Sequence, residues 1–365
     1  MKIFITGATG VIGRRAIPLL FARRHQVTAC VRSPQSAHEV LALGAPACAV
    51  SLFDRAGLMR AMAGHDVVVN LATHMPASTM RMFLPRGWRE NDRIRRTGAA
   101  NLVDAAIACG VQRFVQESFA PAYPDRGVDW IEEDTPLAPV RYNRSLLDAE
   151  QGAARFTAAG RAGIVLRFGA FYGADATQTL DLIRLVRRGW APLPGPAGAY
   201  VSSVAHDDAA CAVVAALDAR AGIYNVVDDE PLTHRDYVDS LATALGVPLP
   251  QLPPQWSARL FGSLGELLSR SVRISNRKLR RETGWRPTLP SAREGWRTVA
   301  ASVDGRVATA PSTKTRAQAQ AETIEASHPG LTGWGGYVPK MGTAAQENEI
   351  RMAGKRAAGH TAASE

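Results

Sequence analysis

The chain opens Met1-Lys2-Ile3-Phe4-Ile5-Thr6-Gly7-Ala8-Thr9-Gly10-Val11-Ile12-Gly13-Arg14, a short apolar run joined to three glycines that are each separated by two residues. A helical pattern follows. This order is the chemistry of a dinucleotide-binding turn: Gly7 allows the tight turn, Gly10 lets the backbone approach a pyrophosphate, and Gly13 lets the next helix pack on the sheet. The helix that starts near Gly10 aims free N–H groups and its positive dipole end at the phosphates. The second strand, Gln26 to Val31, ends with no Asp or Glu between Arg24 and Gln35 to accept from a ribose 2'-hydroxyl. Arg32 at that strand end and Arg14 past the turn instead offer guanidinium forks to a 2'-phosphate. NADP(H) is therefore expected ahead of NAD(H), with NAD still compatible.

These glycines need elements to hold them, and the chain supplies an alternation of strands and helices. Strands are expected at Ile3 to Ile5, Gln26 to Val31, Ala47 to Val50, Asp66 to Leu71, Arg113 to Gln116 and Gly163 to Arg167. Between them fall helices at Val11 to Arg23, Ser36 to Leu43 and Arg55 to Ala63, one long helix ending near Cys109, and one at Ser145 to Ala159. Asp54 caps the third of these helices. The pattern predicts an α/β fold, a doubly wound parallel sheet of Rossmann type with a smaller C-terminal substrate lobe. The breaker-rich Gly189 to Pro196 reads as a loop, followed by a strand Tyr200 to Val204, a helix Asp208 to Ala219 and a strand Tyr224 to Val227. Helices at Thr233 to Leu245 and Ser257 to Leu268 complete the pattern. The expected division is 1–230 for the dinucleotide-binding domain, with substrate-side insertions over 170–205, then a lobe over 231–301. Residues 302–365, poor in large apolar side chains, are expected to be a disordered tail.

With 365 residues, 46% of them apolar and 21% charged, the chain can bury a large core. It shows no leader and no membrane-length apolar run, so a soluble cytoplasmic protein is expected. Cys30, Cys48, Cys109 and Cys211 lack metal-ligand spacing and read as reduced core residues. The net charge of +10 comes mostly from arginines without a zinc-finger or RNA-binding pattern, so no nucleic-acid partner is expected. Clusters such as Arg81, Arg86, Arg89, Arg93, Arg95 and Arg96 read as solvated helix faces, a minority of which can attract an anionic substrate. No membrane partner is expected, and a homodimer is compatible.

Several further segments join the glycine turn in one resemblance. They are Asn70-Leu71-Ala72, Asn101 to Ala106, Gly110 to Val115, Leu166 to Gly173, Gly222 to Asp229 and Gly284-Trp285-Arg286-Pro287. Over roughly Met1 to Trp296 the chain resembles the extended or atypical branch of the short-chain dehydrogenase/reductase superfamily, the NAD-dependent epimerase/dehydratase type. The resemblance implies cofactor contacts from Gly7, Thr9, Gly10, Val11, Ile12, Gly13 and Arg14, then from Arg32, Ser51, Leu52, Leu71, Ala72, Thr73 and Tyr142. Ser51 stands where the family carries an acid near adenine.

The resemblance also implies a catalytic Ser or Thr after the fifth strand and a Tyr with Lys four residues on. Here Tyr142 is present, Leu146 holds the Lys position, Phe119 holds the Ser position, and Ser118 lies one residue early, turned away from the side of Glu117. Tyr142, Ser118 and Glu117 are the catalytic candidates, with His74 and Tyr123 in neighbouring segments. His206 beside Asp207 and Asp208 reads as a structural helix start. No metal motif is present. The expected function is an NADP(H)-dependent oxidoreductase or epimerase-like enzyme acting on a carbonyl or alcohol carbon of a small or nucleotide-linked substrate. The alternative, which the incomplete triad admits, is a cofactor-binding redox-responsive regulator or assembly factor without turnover.

Overall fold

Val67 to Asn70 is buried at every position, as is Ile3 to Thr6, which requires a sheet covered on both faces. The computed structural model describes residues 1–76, 82, 85–303 and 305. Strands β1 (Lys2–Thr6), β2 (Gln26–Val31), β3 (Ala47–Ala49), β4 (Val67–Asn70), β5 (Arg113–Phe119), β7 (Ala162–Phe168) and β11 (Gly222–Val226) form one parallel sheet. Its order is β11-β7-β5-β4-β1-β2-β3. The chain runs outward from β1 to β3 and then resumes at β4 on the other side of β1. The crevice at that reversal, between the carboxyl ends of β1 and β4, is where such sheets bind ligands.

Helices α1 (Gly13–Ala22), α2 (Pro34–Ala42) and α3 (Arg55–Met62) connect the first strands. Ser33 and Asp54 cap α2 and α3 by accepting from the backbone N–H of Ser36 and Gly57. The single long helix expected before Cys109 is instead a composite: a 3-10 turn Pro85–Trp88, α4 (Arg89–Arg93), a π turn Ile94–Gly98 and α5 (Ala99–Ala108). Helix α6 (Leu146–Ala158) precedes β7, and α8 (His206–Ala215) begins two residues before the expected start. The fifth strand runs three residues past Gln116 because Glu117, Ser118 and Phe119 keep pairing with Leu166, Arg167 and Phe168.

The substrate side draws on separated stretches. Helices α7 (Thr177–Arg187), α9 (His234–Leu245) and α12 (Ala292–Val303) pack Ile183, Tyr237, Leu241 and Trp296 into one apolar cluster with Tyr172. The strand expected over 200–204 is two short ones, β9 (Tyr200–Val201) and β10 (Ser203–Ala205). The helix expected over 257–268 is a 3-10 segment, Gln255–Phe261, followed by α10 (Gly262–Leu268), because Gly262 turns to a positive φ. Helix α11 (Arg277–Thr283) and strands β6 (Trp130–Ile131), β8 (Ala170–Tyr172), β12 (Leu232–Thr233) and β13 (Arg273–Ile274) carry too few residues to show a period. Helix α12 extends to Val303, past the expected start of the tail, and the rest of that tail beyond 305 lies outside the described residues. Among the described residues no helix is long and apolar enough to cross a membrane. None of their His, Cys, Asp or Glu side chains forms a group able to hold a metal.

Asp208 ties the two regions together. Its fully buried carboxyl accepts from Thr288 N at 2.8 Å, Thr288 Oγ1 at 2.6 Å and Leu289 N at 3.1 Å, and Trp285 Nε1 donates to its backbone oxygen at 3.1 Å. The acidic helix start is thus structural, as the sequence suggested. Replacing Asp208→Ala orphans those donors and is expected to lower stability by about 3 kcal/mol. Urea unfolding measures it, and an unchanged midpoint would show that this anchor contributes nothing.

Candidate functional site

The cleft is shaped first by glycine sterics. Gly7 has φ 68°, and a Cβ there would lie 2.3 Å from the Leu71 carbonyl oxygen, so β1 can leave the sheet beside β4 only through glycine. A Cβ on Gly13 would lie 2.3 Å from Gly7 O. Gly10 differs: its Cβ would meet only Gly7 O, at 3.1 Å. That side of the turn faces open space, as close approach by a pyrophosphate requires. No side chain caps the N-terminus of α1; the carbonyls of Gly10 and Ile12 take the N–H groups of Arg14, Arg15 and Ala16, so among the described residues those of Val11, Ile12 and Gly13 are the ones left for an anion. Below the turn, Thr6 Oγ1 donates to Asn70 Oδ1 at 2.6 Å and Asn70 Nδ2 to Gln116 Oε1 at 2.9 Å. This buried relay fixes the ends of β1, β4 and β5 relative to each other, and motif spacing does not announce it.

A cavity of about 210 Å³ opens on the turn. Of the residues expected to bind cofactor, Gly7, Thr9, Gly10, Arg32, Ser51, Leu52, Leu71, Ala72 and Thr73 line it. Val11, Ile12, Gly13, Arg14 and Tyr142 do not. Arg14 is drawn elsewhere, into an ion pair with Asp175, which also takes Arg15 at 2.8 Å and His206 Nδ1 at 3.0 Å. His206 and Arg15 hold the Asp175 carboxyl well below the usual carboxylate range. Arg32 has no side-chain hydrogen bond or ion pair among the described residues, and Ser36 lines the same cavity beside it. Cys30 and Phe53 are lining residues that motif spacing did not mark. Burial pushes the Cys30 thiol up to about 12, so it is an apolar wall and not a nucleophile.

The catalytic candidates fall into separate environments. Tyr142 sits on a 3-10 turn, Arg141–Asn143, just before α6, and its ring packs on Trp88 with centroids 4.6 Å apart. Its hydroxyl makes no hydrogen bond among the described residues, and burial raises its pKa above the ordinary value of 10.0. Leu146, at the position of the missing lysine, is fully buried. Ser118 donates to Glu150 Oε1 at 2.6 Å, and Arg167 holds both Glu150 oxygens, at 2.9 and 2.7 Å. Arg167 also donates to the Tyr123 hydroxyl at 2.7 Å, which in turn donates to Asn225. Ser118 and Tyr123 thus belong to one network in which both hydroxyls are already used. His74 is exposed, its backbone N–H held by Asn91 Oδ1 at 2.9 Å.

Glu117 faces a different partner, Arg95, whose Nη2 reaches its two oxygens at 2.9 and 3.2 Å. Arg95 is only 7% exposed. Its expected place on a solvated arginine face is therefore corrected: the run from Trp88 turns Arg95 inward, with Asn91 and Leu102, at helical spacing.

Four similarities to known proteins bear on this cleft. A family model described as NAD(P)H-binding matches residues 7–179. The 3-diazoavenalumate denitrifying reductase of a Streptomyces species is 35% identical over 307 residues, 81% of this chain and 99% of that protein. The 4-hydroxy-2-methyl-3-oxo-4-farnesyl-3,4-dihydroquinoline-1-oxide ketoreductase of Stigmatella aurantiaca is 30% identical over 319 residues, 78% of this chain and 92% of that protein. Among solved structures, the UDP-glucose 4-epimerase of Thermus thermophilus in complex with NAD aligns with a TM-score of 0.67. It is 26% identical and covers 84% of this chain and 100% of that one.

The glycines separate folding from binding. Gly13→Ala forces a Cβ against backbone and is expected to cost about 2 kcal/mol of stability. Gly10→Ala needs only a small shift, so it should melt near the parent temperature yet bind a nicotinamide dinucleotide, NADH or NADPH, about tenfold more weakly. Calorimetric titration and thermal melts read the two effects. Equal losses of stability in both variants would contradict the assignment of Gly10 to the ligand.

Proposed function

Because the chain belongs to the NAD-dependent epimerase/dehydratase type of the short-chain dehydrogenase/reductase family, we propose that it is an NADP(H)-dependent reductase of a carbonyl carbon in a small-molecule substrate. The oxidoreductase and epimerase class comes with the family, and the reductive direction rests on one observation: the Tyr142 hydroxyl makes no hydrogen bond among the described residues, and burial raises its pKa. A family tyrosine beside an ammonium is poised to exist as phenolate. With Leu146 in that position the phenol stays neutral through the physiological range and acts as an acid. The cleft lined by Gly7, Thr9, Gly10 and Arg32 would hold the dinucleotide, which when bound would supply hydride to a carbonyl carbon; the Tyr142 hydroxyl would give its proton to the carbonyl oxygen, so that a ketone would leave as an alcohol.

Arg32 and Ser36 support the choice of NADP(H). At the β2 end, beside the N-terminal turn of α2, the Arg32 guanidinium has no partner among the described residues and suits a 2'-phosphate. Glu90, the one acid among the cavity-lining residues, lies 3.9 Å from Arg93. Two of the relatives are reductases, one of them a ketoreductase, which favours a carbonyl substrate over a nucleotide sugar. The second reading, a cofactor-binding protein without turnover, is favoured by the same Leu146 that removes the family cation.

Three outcomes separate the readings. NADPH should bind more tightly than NADH, and Arg32→Ala should narrow that gap by about tenfold; equal binding of both nucleotides by the parent would sink the NADP(H) assignment. Tyr142→Phe should abolish ketone reduction while NADPH binding stays close to normal. The tyrosine's raised pKa means that the acid form persists above pH 10, so the turnover number should show no alkaline limb below that pH. A parent protein that binds NADPH tightly but oxidises none of it against a wide ketone panel would support the non-catalytic reading.

A further inference from the structure

Two arginines follow the glycine turn, and they are held differently. Arg15 is committed on three sides: its Nε donates to Asp207 at 2.7 Å, its Nη1 donates to the Val11 carbonyl oxygen at 2.9 Å, and the same nitrogen lies 2.8 Å from Asp175. Arg14 has one side-chain partner among the described residues, Asp175. Asp175 stands between β8 and α7, on the substrate side of the fold, and His206 Nδ1 at the start of α8 lies 3.0 Å from its other oxygen. If Arg14 leaves, Asp175 keeps Arg15 and His206. The Arg14 side chain is already 42% exposed, so its departure strands no buried charge.

The backbone of Arg14 stays with the turn wherever its side chain points. Its N–H donates to Gly10 O at 3.1 Å, directly after the N–H groups of Val11, Ile12 and Gly13 that are left for an anion. In the first turn of a helix the Cα–Cβ bond tilts toward the N-terminus, so the guanidinium can lie over the turn as well as against Asp175. A pyrophosphate seated on those N–H groups carries two negative charges against the one on Asp175, and it takes a guanidinium in fork geometry.

We propose that the Arg14–Asp175 ion pair is a latch on the cofactor site: Asp175 withholds from the turn a cation that the pyrophosphate of a bound dinucleotide recruits. This rests on the reading of the turn as a dinucleotide site. No covalent bond changes; one ion pair is exchanged for another, and the affinity reports the difference. The latch acts on the part of the ligand that NAD(H) and NADP(H) share, whereas Arg32 acts on the part that differs. Binding also releases one of the three ties that hold the segment leading into α7.

Calorimetric titration of the full-length protein with NADPH, NADH and ADP tests the latch without substrate or turnover. Asp175→Asn should tighten all three about fivefold and leave the ratio of NADPH to NADH affinity as in the parent. Arg14→Ala should weaken all three about fivefold, again at constant ratio. The double variant should bind like Arg14→Ala alone, because Asp175 then has nothing to withhold. A gain from Asp175→Asn that survives in the Arg14→Ala background is plain removal of a negative charge and overturns the latch. An Asp175→Asn variant that binds no more tightly than the parent overturns it as well. If Asp175→Asn does not fold, Arg14→Ala decides, since that side chain is exposed, and unchanged binding of all three ligands counts against the latch. A parent protein that binds none of the three overturns the dinucleotide reading itself, whereas parent binding that no variant moves overturns the latch alone.

Discussion

The close passage of the Gly7 backbone under the Leu71 carbonyl positions the rest of the cleft. Only a residue without Cβ can leave β1 at that point and at that φ, and only Gly13 can then set the start of α1 against the Gly7 carbonyl. The consequence is an uncapped helix N-terminus directed over the reversal point of the sheet, with Gly10 open beside it. The Thr6, Asn70 and Gln116 relay holds the three strand ends at one level, so the Arg32 side of the cavity and the Glu117 side of β5 keep a fixed separation. The site lies at the carboxyl ends of the sheet's central strands, and the turns that leave β1, β3 and β4 line it.

Much of this is written locally. The glycine spacing, the buried runs and the absence of an acid after β2 each involve residues close in sequence, and local spacing is what a linear reading can weigh. The cofactor turn and the parallel sheet were legible for that reason. Arg14 and Arg95 were not. Arg14 follows the turn as a phosphate-binding residue would, but its partner Asp175 lies 161 positions further on. Arg95 sits in a run dense with arginines, where charge suggests solvent, and its burial depends on Glu117 from another element and on a π turn that no residue type announces. The short strands of the substrate side escaped because two or three residues cannot display a period.

The altered triad follows a consistent electrostatic logic. An ammonium beside a tyrosine favours phenolate and thus serves oxidation as readily as reduction. In the proposed reduction, the buried leucine at that position leaves a phenol that holds its proton. Meanwhile Ser118 has been drawn into the Glu150 and Arg167 network, where it stiffens the junction of β5, β7 and α6. On that reading, the loss of two familiar catalytic groups changes the direction of the chemistry, whereas in the non-catalytic reading it ends it.

The most direct measurement follows the hydride itself. NADPH carrying deuterium at the transferable position of its nicotinamide would be mixed with the protein and a panel of aryl and alkyl ketones, and the products read by mass spectrometry and NMR. Reduction through Tyr142 predicts deuterium on the carbinol carbon of at least one product, with a primary isotope effect on its formation. Tight NADPH binding with all of the label remaining in the cofactor across the panel would contradict it.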